Sequence, residues 1–398
     1  MSKITNIGVL DTRDIKEELA KELTEITNIE VIIESPESQL LLKNCKKANV
    51  GSTIKTYKDM PLISYSGELK IDEEYLQGLI IAVVLIVDGT VVFDDDINGD
   101  LIEEKIHTLV VNGEIICSKR LAGIIQLRTS IQGEMLIYNS GYTFFNDSTE
   151  LINGFLACLE EHSKLAFNEL LISEDIDMDL FRDKISKIQV LNKLIIREEH
   201  QSSFARYIQD YFSLNKSVIP KDSIYISGDL YIDDSIINKY NNSILFVEGK
   251  VEISLNKASN IKDHIKALYC EKVTCSYKHY ESVKNILLSG DIQGVKGKLL
   301  KNTGYLTLSK DFEKDSKEIT IENMGKIVIE EDIDVEIFKE KVAEITNYGL
   351  ILAPESVMNI VKSKLKENYG KVGSLEKRAK ENNDENNCLY ANVRELKL

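Results

Sequence analysis

The chain has 398 residues, more than one compact domain usually needs and enough for a large core or an elongated array. Its 49 Lys and Arg are outweighed by 65 Asp and Glu, giving a formal net charge of −16, and that field opposes a polyanion, so nucleic acid and anionic membrane are excluded as expected partners. With 43% hydrophobic and 29% charged residues, the balance is that of a folded soluble chain rather than a disordered one.

The first residues, Met1 to Asn6, show no basic start followed by an apolar core, so no cleavable signal peptide is expected. The longest apolar run, residues 79–87, has nine residues, well short of the roughly 20 that span a bilayer. Six cysteines, at 45, 117, 158, 270, 275 and 388, lie too far apart to suggest a disulfide framework. These features predict a reduced, cytoplasmic protein.

Residues 14–26 place apolar side chains at helical spacing behind leading acids and predict a helix. Val31 and Ile33 alternate with polar residues and predict a strand. Pro36 suits the first position of the next helix, where its missing N–H has no partner to lose. A short signature then recurs: Gly, any residue, apolar, any residue, apolar. It stands at Gly67, Gly89, Gly113, Gly133, Gly228, Gly249 and Gly325, in degraded form at Gly290, and with Asn168 and Asn192 in the Gly place. Its first apolar column reads Val31, Leu69, Val91, Ile115, Met135, Leu170, Leu194, Leu230, Val251, Val273, Ile292, Ile327. The second reads Ile33, Ile71, Phe93, Cys117, Ile137, Ile172, Ile196, Ile232, Ile253, Cys275, Gly294, Ile329.

Helical patterns separate the strands, as at 100–108 and 332–345. Residues 175–188 match 332–345 at six of fourteen positions, and residues 26–29 resemble 345–348, each followed by a strand and Pro-Glu-Ser. Most intervals between copies are 19 to 24 residues. A period near 22 is that of a solenoid, whose units bury their apolar faces only by stacking. The expected fold is therefore α/β, a strand-helix repeat solenoid with a stacked, mainly parallel sheet over residues 1–365. The alternative takes Asp88-Gly89 and Asn112-Gly113 as hairpin turns in an α/β array. A polar, flexible segment is expected at 366–387. Residues 388–398, apolar again, are expected to cap the open last repeat or to act as a docking peptide.

The phases Ile106-x-x-Leu109-x-Val111 and Ile265-x-x-Leu268, with the period and the strand-helix order, resemble an atypical leucine-rich repeat over roughly residues 4–365. Here Gly replaces or displaces the usual strand-capping Asn, and Ile outweighs Leu. The resemblance implies an interaction scaffold and brings no catalytic residues.

In such a stack equivalent residues form columns about 4.8 Å apart. The outward column reads Ile32, Lys70, Val92, Ile116, Leu136, Leu171, Ile195, Tyr231, Glu252, Thr274, Gln293, Val328. Val92, Ile116, Leu136, Leu171, Ile195 and Tyr231 form an unbroken apolar run, the expected partner-binding stripe unless a second layer of the chain covers it. A flanking column, Glu30, Glu68, Thr90, Glu114, Glu134 and Glu169, is mostly acidic, which suits a partner of apolar and basic character.

Other chemistry is sparse. Residues 94–101 open like an EF-hand loop, but Lys105 stands where the bidentate Glu belongs, so a strand-to-helix turn is the expectation. Cys270, Cys275 and His279 are metal ligands by type, yet Cys275 falls in a core column. The five histidines are scattered and there is no phosphate-binding Gly-Lys-Ser/Thr loop. The expected function is a non-catalytic scaffold for a protein partner, with no cofactor and no metal. The alternatives are a structural protein that self-associates through open repeat edges, or an enzyme built from acidic turns.

Overall fold

Strands whose polar and apolar residues alternate stack in parallel, each offset from its neighbour by one repeat. The computed structural model describes residues 2–255, 261–310, 312, 318–375 and 388–398. Two compact units divide the chain, Met1–Val218 with Asn386–Leu398, and Ile219–Glu385.

In the first unit, β1 (Ser2–Asp11), β2 (Leu23–Glu34) and β3 (Lys46–Lys55) form one sheet, and β4 (Leu62–Ile71), β5 (Val83–Phe93), β6 (Ile106–Ser118) and β7 (Thr129–Tyr138) a second, each in chain order. A third sheet takes the strands Thr143–Phe145, Ser163–Ile172, Ile185–Arg197 and Lys216–Ile219. The recurrent glycines are in exact register: Gly67 pairs with Gly89, Gly89 with Gly113, and Gly113 with Gly133. All four have positive φ, and a Cβ on Gly89, Gly113 or Gly133 would overlap the carbonyl oxygen of the glycine before it. Each strand bends there, so the glycines mark a corner within a strand. The hairpin alternative is overturned: Asp88-Gly89 and Asn112-Gly113 lie inside β5 and β6, which run parallel.

Short helices return the chain between strands. In several of them the first N–H groups are met by side chains: Asp72 accepts from the Tyr75 N–H at 2.8 Å and Asp177 from the Asp179 N–H at 2.9 Å. Each helix contributes few apolar side chains, such as Leu76, Ile102 and Ile125, and these fill the space above Val91, Phe93, Ile115 and Cys117. Both predicted apolar columns are buried at most positions. Ile137 is an exception at 41% exposure. β2 is another. There the bend is carried by Asn28 in the left-handed region, which shifts the phase by one. Ile32, expected outside, lies in the strand-helix core, while Val31 and Ile33 pack with Val84, Ile86 and Val110 of the second sheet.

In the second unit the two legs of each turn are mostly separate strands. Ser223–Ile226 and Ser243–Val247 pair beside the first half of Ile265–Ser276, and Leu230–Asp233 and Lys250–Ser254 beside its second half, with Leu287–Val295 along its other edge. Two further sheets follow, Lys298–Asn302, Ile319–Asn323, Val342–Asn347, Leu365–Asn368 and Tyr305–Leu308, Lys326–Ile329, Leu350–Ala353, Lys371–Ser374. The repeat thus continues past residue 365. Residues 366–375 belong to its last turn, and the remainder of the expected polar segment, 376–387, lies outside the described residues.

Among the described residues the C-terminal strand, Cys388–Lys397, forms no strand pair with the last repeat. It pairs in parallel with β1, at the opposite end of the chain order. Among the described residues no helix is long and apolar enough to cross a membrane.

Candidate functional site

The six residues expected to form one open stripe do not do so. Val92, Ile116 and Ile195 are buried. Val92 and Ile116 pack with Tyr138 and Ala166, flanked by Leu136, Tyr142, Phe144 and Leu191. The strands and loops after β7 therefore cover the outer face of β5 and β6, as parallel sheets require when both faces are apolar. Polar contacts seal the same layer: Asn139 donates twice across it, its N–H to Gln189 Oε1 at 2.8 Å and its Nδ2 to Gln209 Oε1 at 2.6 Å. Leu136 and Leu171 are half-buried. Tyr231 alone is open, at 49% exposure, and it belongs to the second unit.

Around Tyr231 the second unit forms an open groove of about 350 Å³. One wall is the predicted outward face: Tyr231, Glu252, Thr274 and Gln293, with Lys250 and Lys272 beside them. The other carries Lys301, Glu322 and Met324. Glu252 and Lys301 approach across it to 3.6 Å. The charges are mixed and the exposed anchors are apolar.

Met324 leads to a feature that the search for Gly-centred copies missed. The triplets at 302–304, 323–325, 347–349 and 368–370 each read Asn, any residue, Gly. Their asparagines form a ladder: Asn302 Nδ2 donates to Asn323 Oδ1 at 2.7 Å, Asn323 to Asn347 at 2.7 Å, and Asn347 to Asn368 at 2.8 Å. Asn302, Asn323 and Asn347 are buried, so the amides satisfy one another where water does not reach. The ladder turns each intervening residue outward. Met324, Tyr348 and Tyr369 form an exposed column, and the rings of Tyr348 and Tyr369 stack at 5.3 Å with planes 9° apart. Tyr231 and Met324 line one groove, so that groove opens onto a column of exposed apolar side chains.

The acidic turn at 94–100 is a strand-to-helix turn. Asp94 pairs with Lys70 at 2.9 Å, Asp95 Oδ2 accepts from the Gly141 N–H at 2.7 Å, and Asn98 caps the helix Gly99–Lys105 by accepting from the Asp100 N–H at 3.0 Å. Among the described residues no cluster of His, Cys, Asp and Glu is arranged to hold a metal ion. Cys270 and Cys275 are buried, and burial pushes their thiols up to about 12 and about 11, which disfavours a free thiolate. His279 is also buried, its Nε2 3.3 Å from the Leu255 carbonyl oxygen. The most deeply placed ion pair, Asp11 with Arg13 at 2.7 Å, is occupied structurally, since Arg13 also donates to the carbonyls of Tyr57 and Met60.

No protein-family model, curated protein or solved structure matches the chain. The likeness to leucine-rich repeats is thus one of period and strand-helix order.

Proposed function

We propose that the chain is a non-catalytic scaffold that binds a protein partner along the groove and aromatic column of its second unit. The observation that carries this reading is the exposure of Met324, Tyr348 and Tyr369 along the asparagine ladder, with Tyr231 exposed in the adjoining groove. Aromatic and Met side chains are enriched at protein interfaces, the aromatics because they bring large apolar area at low entropic cost. Lys250, Lys272 and Lys301 beside the groove fit a partner segment that combines apolar with acidic side chains. The partner face expected from sequence moves accordingly from the first unit to the second and keeps Tyr231. The free cysteines Cys45, Cys117, Cys158, Cys270 and Cys275 fit a reducing, cytoplasmic setting.

The test begins with capture of partners on the immobilised chain, followed by recombinant production of the captured protein and measurement of its Kd. Truncating a central anchor costs about 2 kcal/mol or more, roughly 30-fold in affinity. Tyr231→Ala and Met324→Ala are each expected to weaken binding at least tenfold with the melting temperature unchanged. A partner whose Kd ignores both changes binds elsewhere, and the groove reading fails.

A further inference from the structure

The C-terminal strand is a turn of the repeat placed at the wrong end of the chain order. Its register on β1 sets Tyr390 beside Ile4, Ala391 beside Thr5, Val393 beside Ile7 and Leu396 beside Leu10. β1 pairs with β2 in the same phase, Thr5 with Thr27 and Ile7 with Ile29. Asn392, Asn6, Asn28 and Asn49 all adopt the left-handed conformation, with φ of 59°, 56°, 55° and 57°. Their amides form a second ladder: Asn49 donates to Asn28 at 2.8 Å, Asn28 to Asn6 at 3.0 Å, and Asn6 to Asn392 at 3.0 Å. Left-handed Asn is uncommon enough that four in register define a site rather than a coincidence. Arg394 adds contacts outside the ladder, donating to Ser66 of β4 and to Asp88 Oδ2 of β5 at 3.2 Å.

The chain order gives the same strand a different neighbour. Asn392 follows Asn368 by 24 residues, the spacing that separates Asn323 from Asn347 in the ladder of the second unit. Leu365–Asn368 and Lys371–Ser374 are the edges of their two sheets. The tail therefore places an Asn at the spacing of the next turn, with Arg394 where the earlier triplets have Gly, while its strand pairs with β1. It is itself an edge strand, it contributes little beyond Leu396 and Leu398 to the core beneath it, and Leu389, Tyr390 and Val393 are exposed.

We propose that the C-terminal strand is exchanged between copies, so that residues 388–398 of one molecule pair with β1 of a second and join chains head to tail. The occupant of the β1 edge is then a second copy of this chain. The same hydrogen bonds form within one chain and between two, so the balance is set by concentration, as in domain swapping. Reciprocal exchange between two copies closes a dimer, and exchange passed from copy to copy extends with added subunits. The exchanged strand and the groove share no residues.

The test mixes two full-length single variants under oxidising conditions, one with Asn6→Cys and the other with Asn392→Cys, differently tagged. Exchange predicts a disulfide joining the two tags, located by peptide mapping at positions 6 and 392. Its yield rises with protein concentration and falls when free 388–398 peptide is added. The double variant in a single chain provides the second arm. It should give a series of linked multimers at high concentration. A link that forms only within the double-variant chain at every concentration, with none between tags, overturns the proposal. So does the absence of a link in both arms, which would mean that the strand does not sit on β1.

Discussion

Ile196→Asp is expected to cost about 4 kcal/mol, because it places a carboxylate with no partner in a closed apolar core. Ile196 is fully buried with Leu194, Ile172, Phe181 and Phe204. A loss of that size lowers the melting temperature of a unit of this length by roughly 10 °C. The same core holds Leu170 and Leu194 of the first column and Ile172 of the second, so the change strikes both columns of the repeat at once. Thermal unfolding followed by circular dichroism provides the measurement. A variant that melts within a degree or two of the parent would place Ile196 on the surface and contradict the column assignment.

The second large effect concerns Gly113. Its φ is 142°, and a Cβ would meet the Gly89 carbonyl oxygen. Relief requires β5 and β6 to separate at the point where their corners stack. Gly113→Ala is expected to destabilise by about 3 kcal/mol, combining a disfavoured backbone conformation with a backbone clash. Gly123→Ala supplies the contrast. That residue lies in the helix Ala122–Arg128 with nothing near the added methyl, so the helix preference of Ala over Gly should leave stability unchanged or raise it by up to about 1 kcal/mol. Denaturant titration of the two variants separates these outcomes. Equal midpoints would mean that Gly113 is not at a close approach.

How much of this was legible in sequence depends on the range of the interaction. Gly67, Gly89, Gly113 and Gly133 could be aligned because each is required by its own neighbour one turn away, so the constraint repeats at the period of the chain. The phase of β2 was misjudged because Asn28 performs the bend that Gly performs elsewhere, and a Gly-centred register then displaces Ile32 by one. The cover over Val92 and Ile116 was not legible. Tyr138, Tyr142, Phe144 and Ala166 carry no signal that they lie against that face, since a sheet's outer partner is fixed by tertiary packing and not by period.

The exposed column of Met324, Tyr348 and Tyr369 was legible in principle, through four Asn-x-Gly triplets, but only when Asn rather than Gly is taken as the origin of the repeat. The tail divides in the same way. Its Asn392 announces a repeat turn, whereas pairing with a strand 386 residues away in sequence has no local signature.

Successive turns stack in parallel with a register of about one repeat. Thr5 and Thr27 test it most directly, because they are paired neighbours on β1 and β2 with hydroxyl oxygens 3.1 Å apart. Adjacent parallel strands bring paired Cα atoms to about 4.8 Å, within the span a disulfide accepts. The account predicts that the variant carrying Thr5→Cys and Thr27→Cys oxidises to an internal 5–27 disulfide, identified by peptide mass, in protein that keeps its native circular dichroism. Folded protein in which both new thiols stay reduced, or pair with other cysteines instead, would contradict the stacked register.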